Sequence, residues 1–291
     1  MQSFDRNPSM KIITAIQEIK KDLTSLKSSH KTIGLVPTMG ALHKGHLSLV
    51  EKSIAENDVT VVSIFVNPTQ FDNKEDLENY PSTLGKDFGL LEKTGCDFIF
   101  TPDSNEVYDH QIVSEHFSFD GLEHEMEGRH RKNHFDGVGT IVSKLFDITK
   151  PTRAYFGEKD FQQLQIIKKL VNIKQLNIQI VGCKICREQD GLAMSSRNIR
   201  LSDEHRKAAP FIYQTLQEVK QKAASFSFPE ISDWVKNKFE KQTLLELEYF
   251  EIAEEKSLQT VKNKKENEPY RAFIAVFAGP IRLIDNIALS I

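Results

Sequence analysis

A short apolar run that leads directly into a turn and an amphipathic helix constrains the fold of this chain more than any other stretch. Residues 32–36, TIGLV, are typical of a buried strand, and residues 46–56 have the apolar spacing of a helix. Residues 37–46, PTMGALHKGH, therefore predict a strand-to-helix turn, with His43 and His46 on one face of the first helical turn. A helix start offers unpaired N–H groups and a partial positive charge. The turn is thus a candidate phosphate-binding site.

The paired histidines allow three interpretations. The imidazoles could donate hydrogen bonds to a ligand at the helix start, where negative charge would build up. They could also be capping or solvated side chains with no ligand. A zinc site is the third interpretation, but no third ligand lies nearby in the sequence. Gly40 and Gly45 leave room for a ligand to approach the backbone.

The alternation of strand and helix patterns beyond this turn predicts the fold class. Residues 59–66 are β-branched and apolar on both faces, as expected in a parallel sheet. Further strands are expected at residues 97–100, 154–156 and 178–182, and helices at 11–27, 83–94, 138–148 and 161–173. We therefore predict a Rossmann-like, doubly wound, mostly parallel α/β sheet in a first domain, residues 1–184.

The pattern changes in the last third of the chain. Helices are expected at residues 203–223 and 229–241, and strands at 247–253, 272–278 and 281–287. Helices followed by strands predict a smaller α+β domain, residues 185–291, which we expect to form a lid over the active site. Residues 72–81 and 103–136 predict loops, the longer one functional or mobile. Because Met10 looks like a natural start, we interpret residues 1–9 as an extension or a cloning remnant.

The composition excludes several classes of protein. The chain of 291 residues has a net charge of −3, so it lacks the overall basic field expected for a nucleic-acid partner or an acidic membrane surface. It has no apolar run near the roughly 20 residues that span a bilayer. Its first ten residues lack the apolar core of a signal peptide. Three cysteines do not make a disulfide framework. These features predict a cytoplasmic protein, or one in a similar reducing compartment.

Cys183 and Cys186 have the CxxC spacing that zinc ribbons and redox sites share. A zinc ribbon would need a second pair, and the remaining cysteine is Cys96. Redox CxxC motifs open a helix, whereas this one ends a predicted strand, where residues three apart point to opposite faces. The spacing therefore favours a structural role. The chain contains neither GxGxxG nor GxxxxGK[ST], so dinucleotide binding of the Rossmann type and P-loop binding are unsupported.

Four further polar stretches are candidates for ligand binding. Asn67-Pro68-Thr69-Gln70 ends the second strand, and Gly157-Glu158-Lys159-Asp160, with Gln163 one turn later, ends another. Ser195-Ser196-Arg197 lies near the predicted domain junction, and Arg131-Lys132-Asn133-His134-Phe135 is a basic patch. Taken singly, each is compatible with a turn, a charged helix start, a loop or surface charge. Their positions matter because open α/β sheets bind ligands at the carboxyl ends of their strands.

The chain has a strand, then Pro-Thr-Met-Gly, and then His-x-Gly-His. This order resembles the HxGH signature of nucleotidyltransferases that make adenylates from ATP. The resemblance extends over most of the chain to the pantothenate synthetase (pantoate–β-alanine ligase) family. It is carried by PTMGALHKGHLSLV (37–50), FVNPTQF (65–71), YP (80–81), HFDGVGTIVSKLF (134–146), YFGEKDFQQL (155–164) and DGLAMSSRN (190–198). The C-terminal part is less diagnostic.

The resemblance implies an ATP-dependent ligase that joins (R)-pantoate to β-alanine through a pantoyl adenylate, with Mg²⁺, in a homodimer. The residues it implies for ATP are Pro37, Thr38, Met39, Gly40, Ala41, Leu42, His43, Lys44, Gly45, His46, Gly157, Glu158, Lys159, Asp160, Cys186, Met194, Ser195, Ser196 and Arg197. Those implied for pantoate and β-alanine are Met39, Asn67, Gln70, Arg131 and Gln163, and Asp87 matches a position associated with magnesium. The catalytic group implied is His43, His46, Lys159, Ser195, Ser196 and Arg197.

The chemistry of adenylate formation agrees with this division. Cations and donors are needed around the phosphates, where charge shifts in the transition state. Neutral amides suit the attacking carboxylate, since a tight arginine pair would blunt the nucleophile. We therefore expect the two histidines and the Ser-Ser-Arg run to converge on one triphosphate. Cys186 departs from the aliphatic residue expected at its position.

Two other functions remain open at this point. A relative of the tRNA synthetases is the nearest enzymatic alternative, but no basic anticodon-binding domain follows residue 200. A non-catalytic regulator that binds nucleotide on the same fold is the second. The set of Gln70, Gln163, Lys159 and Ser-Ser-Arg argues against it.

Overall fold

The computed structural model describes residues 10–265 and 267–289, which form two compact units. Of the described residues, the first unit comprises 10–119, 131–158 and 166–184. The second comprises 120–130, 159–165, 185–265 and 267–289. The interpretation of residues 1–9 as an extension concerns residues outside the described part of the chain.

The first unit is built on a six-stranded parallel sheet. Its strands are β1 (Lys11–Ile13), β2 (Ile33–Thr38), β3 (Val59–Ile64), β4 (Phe98–Phe100), β5 (Arg153–Gly157) and β6 (Gln179–Cys183). Their order is β1-β4-β3-β2-β5-β6, and every pairing is parallel. The predicted doubly wound sheet is confirmed. The chain builds outward from β2 through β3 and β4 and then crosses to β5, so the strand order reverses beside β2, where such sheets bind ligands.

The helices that accompany this sheet differ in part from the prediction. They are α1 (Ile16–Ser28), α2 (Lys44–Glu56), α3 (Lys74–Glu78), α4 (Leu84–Glu92), α5 (Ser104–Val107) and α7 (His134–Thr149). Before β6 in the sequence, α6 (Met126–His130) belongs to the second unit, and α8 (Phe161–Ile173) begins in the second unit and ends in the first. The prediction of a helix from residue 11 is wrong, because residues 11–13 pair with β4 as an edge strand. The predicted loops at 72–81 and 103–136 contain the short helices α3, α5 and α6. Among the described residues, no helix has both the length and the apolar character needed to cross a membrane.

Helix α2 packs closely against the central strand at Gly34. A Cβ atom at this position would lie 2.1 Å from Ser53 Oγ and 2.5 Å from Asn57 Nδ2. Neither side chain can move cheaply. Ser53 Oγ is hydrogen-bonded to Thr60 Oγ1 at 2.9 Å, and Asn57 Nδ2 donates to Tyr155 Oη at 2.7 Å. The glycine therefore sets the distance between the sheet and the helix that begins at the candidate phosphate site.

The second unit pairs an antiparallel sheet with helices on one face. Its helices are α9 (Asp203–Ala208), α10 (Phe211–Lys222) and α11 (Phe228–Phe239), and its strands, in the order β7-β8-β9, are β7 (Glu246–Glu254), β8 (Tyr270–Ala278) and β9 (Ile281–Leu289). The predicted α+β class is confirmed. The single helix expected at 203–223 is wrong, because Pro210 separates α9 from α10. The helix-facing core includes Leu216, Ile231 and Ile274.

The opposite face of this sheet receives two segments from earlier in the chain. Arg282 donates to both oxygens of Glu127, at 2.8 and 2.7 Å, and to Glu248 Oε2 at 2.5 Å. Phe161 contacts Phe273, with ring centroids 6.0 Å apart. Breaking such a multiply bonded ion pair is destabilising, because it would leave the buried Glu127 carboxylate without its partly buried partner. The lid role of this unit stays a prediction.

Replacing Gly34 by alanine should destabilise the first unit. The added methyl group has no space between β2 and α2, so we expect a loss of about 1–3 kcal/mol of unfolding free energy. Gly89→Ala in α4 is the matched control, since no atom lies within 4 Å of the position that its Cβ would occupy, and the helix should gain about 0.5–1 kcal/mol. Urea titration of both variants measures the difference, and equal stabilities would contradict the close approach.

Candidate active site

The turn between β2 and α2 is held by a buried carboxylate. Gly40 and Ala41 have φ of 86° and 49°, in the left-handed region. Asp87, fully buried in α4, accepts hydrogen bonds from Ala41 N at 3.0 Å and Leu42 N at 2.8 Å. Thr83 Oγ1 donates to the same carboxylate at 3.1 Å. The carboxylate thus stabilises a backbone shape that is unfavourable for Ala41 on its own.

His43 and His46 cap the start of α2 reciprocally. Nδ1 of His43 accepts from Gly45 N at 3.1 Å, and Nδ1 of His46 accepts from His43 N at 3.4 Å. The two rings lie 4.1 Å apart. Because Nδ1 acts as acceptor in both, a neutral ring carries its proton on Nε2. The capping interpretation is therefore correct for one nitrogen of each ring, and it is compatible with the other nitrogen donating to a ligand.

A cluster of neutral polar groups follows the end of β3. Asn67 Nδ2 donates to Gln70 Oε1 at 3.0 Å, and Gln70 Nε2 donates to Met39 Sδ at 3.1 Å. Tyr108 Oη donates to Asn67 Oδ1 and is 2.9 Å from Thr69 Oγ1. Burial raises the pKa of Tyr108, and the bond with Thr69 opposes that rise. The phenol therefore keeps the proton it donates, and the structure brings together three predicted substrate residues, Met39, Asn67 and Gln70.

The start of α7 packs against this cluster. Asn67 Nδ2 also donates to Gly137 O at 3.1 Å, and a Cβ on Gly137 would lie 2.3 Å from Thr69 O. His134 Nδ1 is 2.8 Å from Gln70 O, and Arg131 Nη1 is 3.1 Å from His134 Nε2. Arg131 thus reaches the amide cluster both through His134 and directly, with its Nη2 3.5 Å from Gln70 O. Sequence reasoning assigned no role to Tyr108, and it included His134 only as a member of the basic patch and of a family motif.

Gly157 ends β5, and Glu158 follows it in the first unit. Lys159 opens the next segment, in the second unit, with Nζ 3.6 Å from Asp160 Oδ1. One turn later, the buried Gln162 donates to the carbonyls of Leu122 and Glu125, both at 2.8 Å. The predicted substrate residue Gln163 is its neighbour and is partly exposed on α8. Gln162 therefore fixes the first turn of the helix that carries Gln163.

The Ser-Ser-Arg run follows a short hairpin in the second unit. Met194 N donates to Cys186 O at 3.0 Å, and Cys186 Sγ lies 3.6 Å from Met194 Sδ. Two predicted ATP-binding residues are thus neighbours. Ser195 Oγ accepts from Arg197 N at 3.3 Å and begins a 3₁₀ turn, Ser196–Arg200. The local structure therefore fixes the backbone of this run.

The cysteines of the CxxC pair differ in environment. Cys183 is buried, and burial raises the pKa of its thiol to about 11. Cys186 is partly exposed, and both are free, as is Cys96. A thiol with a raised pKa is a poor nucleophile and a poor metal ligand at neutral pH. Cys183 accordingly has the properties of a core residue.

The predicted site residues divide between the two units. The first holds residues 37–46, Asn67, Gln70, Asp87, Arg131, Gly157 and Glu158, and the second holds Lys159, Asp160, Gln163, Cys186 and residues 194–197. The predicted convergence of these groups on one triphosphate stays a prediction. In the part of the chain that the structure describes, no group of three or more His, Cys, Asp or Glu side chains could hold a metal ion. The zinc interpretation of His43 and His46 has no support in this arrangement.

Comparisons with family models, with curated proteins and with solved structures all lead to the same family. The family model for pantoate-beta-alanine ligase matches residues 11–288. The pantothenate synthetase of Christiangramia forsetii is 53% identical over 280 residues, 96% of each chain. The crystal structure of pantothenate synthetase from Thermus thermophilus has a TM-score of 0.88 at 36% identity and covers 96% of this chain and 99% of that one. The ligase from Francisella tularensis, complexed with beta-gamma ATP and beta-alanine, has a TM-score of 0.80 at 36% identity, with 96% and 97% covered.

The matched family, whose fold and histidine-containing strand-to-helix turn this chain has, defines its class as an ATP-using, carbon–nitrogen bond-forming ligase. The family match covers nearly the whole length of the chain, including both units. The chain belongs to the pantoate-beta-alanine ligase family. Membership in a family of ligases with this substrate pair sets aside both alternatives, the tRNA synthetase relative and the non-catalytic regulator.

Asp87→Asn should loosen the turn. An amide offers one acceptor where the carboxylate offers two, so either Ala41 or Leu42 loses its partner, and we expect a loss of about 1–3 kcal/mol of stability. Because we expect this turn to bind ATP, the same variant should raise KM for ATP, since the turn would no longer be held at both N–H groups. Glu92→Gln, an exposed position at the end of α4, is the control. Thermal unfolding and steady-state kinetics test both effects; unchanged stability would refute the role of Asp87.

Proposed function

We propose that the ATP-dependent condensation of pantoate with β-alanine proceeds in two steps. The carboxylate of pantoate attacks the α-phosphate of ATP, which gives pantoyl adenylate and releases pyrophosphate. The amine of β-alanine then attacks the acyl carbon of the adenylate, which gives pantothenate and releases AMP. The observation that carries this proposal is the reciprocal capping of His43 and His46, because it directs the Nε2 proton of each neutral ring away from the helix backbone.

The phosphates of ATP would be bound by donors from several segments. His46, with His43 beside it, would stabilise negative charge at the start of α2, and the turn from Pro37 to Gly45 would cover the nucleotide. Lys159 and Arg197 would supply cations, with Ser195 and Ser196 donating to phosphate oxygens. Preorganised donors of this kind lower the barrier because they need no reorganisation as the charge shifts.

Pantoate would be held by neutral groups. Gln70 is oriented by Asn67, which occupies its Oε1, so its Nε2 must point the other way. The Nε2 group donates to the Met39 sulfur, a weak acceptor that a carboxylate oxygen could replace. Gln163 would supply a second amide, and Arg131 would act close to the cluster, where it contacts both His134 and Gln70 O. Such a site holds a carboxylate without pairing it to a cation, which preserves its nucleophilicity.

The divalent cation implied by the family fits this chain only as a companion of the nucleotide. Mg²⁺ commonly binds one or two carboxylates together with substrate phosphates, and the described residues contain no metal cluster of their own. Asp87 remains our candidate carboxylate, although both its oxygens already accept hydrogen bonds. When bound, the cation would neutralise phosphate charge. We also infer a cytoplasmic homodimer, an assignment supported by the family resemblance and, for the compartment, by the free cysteines.

His46→Ala should nearly abolish adenylate formation without unfolding the chain. Removing one preorganised donor costs about a hundred- to a thousandfold in rate, while the lost cap costs only about 1 kcal/mol in stability. Glu51→Ala, exposed on the same helix, is the matched control and should keep full activity. Single-turnover measurement of pantoyl adenylate formation tests this prediction. Near-normal turnover by a folded His46→Ala variant would show that the histidine has no role in the mechanism.

Labelled pyrophosphate should exchange into ATP only when pantoate is present. The first step is reversible and needs pantoate but not β-alanine, so pantoate alone should support exchange. Exchange with β-alanine alone, or with an amino acid, would contradict the proposed order of steps. Omission of pantoate from an otherwise complete mixture is the control, and labelled ATP is measured after adsorption on charcoal.

A further inference from the structure

Two neighbouring residues of β9, Asp285 and Asn286, are buried polar side chains to which the two-step mechanism assigns no role. Their exposed fractions are 4% and 2%. Successive side chains of a strand point to opposite faces of the sheet. Asp285 shares the helix-facing side with Leu283, which belongs to the core with α10 and α11, and Asn286 lies on the opposite side. Each contacts a different segment of the second unit.

Asp285 binds the hairpin that leads into the Ser-Ser-Arg run. Arg187 Nη1 and Nη2 donate to its two carboxylate oxygens at 2.6 and 2.9 Å. The same guanidinium donates to Gly191 O at 3.1 Å and lies 3.6 Å from the centroid of the Tyr213 ring. A bidentate pair of this kind fixes direction as well as distance. Arg187 pairs with Ala193 across the hairpin, two residues before Ser195.

Asn286 binds the backbone of Lys159. Its Nδ2 donates to Lys159 O at 2.9 Å, and its Oδ1 accepts from Arg271 Nη1 at 2.6 Å. Arg271 is itself held by Glu255 at 2.8 Å and lies 3.9 Å over the ring of Phe161. The amide is therefore oriented by a charged donor on one side, which leaves its nitrogen aimed at the carbonyl on the other.

The two contacts are coupled through the strand itself. Asn286 N donates to Asp285 Oδ1 at 2.8 Å, so one carboxylate oxygen accepts from both Arg187 and the neighbouring peptide. Burial raises the pKa of Asp285, and the bonds from Arg187 oppose that rise. A shift of this dipeptide would move the Lys159 segment and the hairpin together.

We propose that Asp285 and Asn286 are positioning residues that hold Lys159 and the Ser195–Arg197 run in a fixed relation to one another. The proposal rests on the proposed roles of Lys159 and Arg197 toward ATP. Neither β9 residue needs to touch substrate. Displacement of a reacting group by as little as 1 Å can cost about a hundredfold in rate.

The first test replaces Asn286 by aspartate, which keeps the shape and the bond from Arg271 but turns a donor into an acceptor facing Lys159 O. In pyrophosphate exchange with saturating pantoate, kcat/KM for ATP should fall about 10- to 100-fold. In the full reaction, KM for β-alanine should stay within about twofold, because Asn286 acts only on the groups that bind the phosphates. Leu283→Val is the control, because it removes one methylene from the same strand on the helix-facing side and should lower Tm without this kinetic effect.

A double-mutant cycle separates positioning from general stability. If Asn286 acts through Lys159, then Asn286→Asp should have little further effect in a Lys159→Ala background, since the group to be positioned is gone. The matching cycle combines Asp285→Asn with Arg197→Ala. Full additivity in both cycles would overturn the proposal. So would a Leu283→Val variant that has the same Tm as Asn286→Asp and loses as much kcat/KM.

The outcomes also separate this proposal from the proposed function. Absence of pantoate-dependent exchange in the wild-type enzyme, or full activity of Lys159→Ala, would count against the proposed mechanism itself. A different set of results would contradict only the positioning role: the wild type exchanges normally, Lys159→Ala loses exchange activity, and Asn286→Asp keeps its kcat/KM.

Discussion

The buried carboxylate of Asp87 is the interaction on which the proposed nucleotide turn depends. The turn between β2 and α2 needs two successive residues with positive φ, and one of them is Ala41, which carries a Cβ. Left-handed backbone costs a non-glycine residue roughly 1–2 kcal/mol, whereas a hydrogen bond to a charged acceptor contributes about 1.5–3 kcal/mol. The two bonds to Asp87 therefore outweigh the strain. By holding this turn, the two bonds also set where α2 begins, and His43 and His46 cap the helix at that start.

The amide cluster shows how neutral groups can be made rigid without a cation. Asn67 Oδ1 accepts from Tyr108, while Asn67 Nδ2 donates to Gly137 O and Gln70 Oε1. Gly137 permits the close approach of α7, since a side chain there would collide with the backbone at Thr69. Gln70 is thus oriented by groups from three parts of the chain. These properties suit the proposed pantoate site, because an attacking carboxylate must be located but not neutralised.

Sequence patterns predicted the sheet, the α+β unit and the bounds of α8, where apolar spacing is long and regular. They failed where an element is short or a contact is distant. Residues 11–13 have spacing that suits a helix, but pairing with β4 decides their conformation. Pro210 divides a run that periodicity alone presents as one helix. Tyr108 and Gln162 had no local signal, because their partners are 41 and 40 residues away in sequence.

The sequence by itself determined which chemistry is present: the two histidines, the amides, the cations and the alternation that places them at strand ends. These depend on local periodicity and on residue type, which can be read along the chain. The tertiary structure alone decided which groups hold them. Asp87, His134, Arg187, Asp285 and Asn286 act through partners 46, 64, 98, 98 and 127 residues distant. Such contacts arise from packing of the whole chain, because burial makes an unpaired polar group costly and so forces each to find a partner that no local pattern specifies.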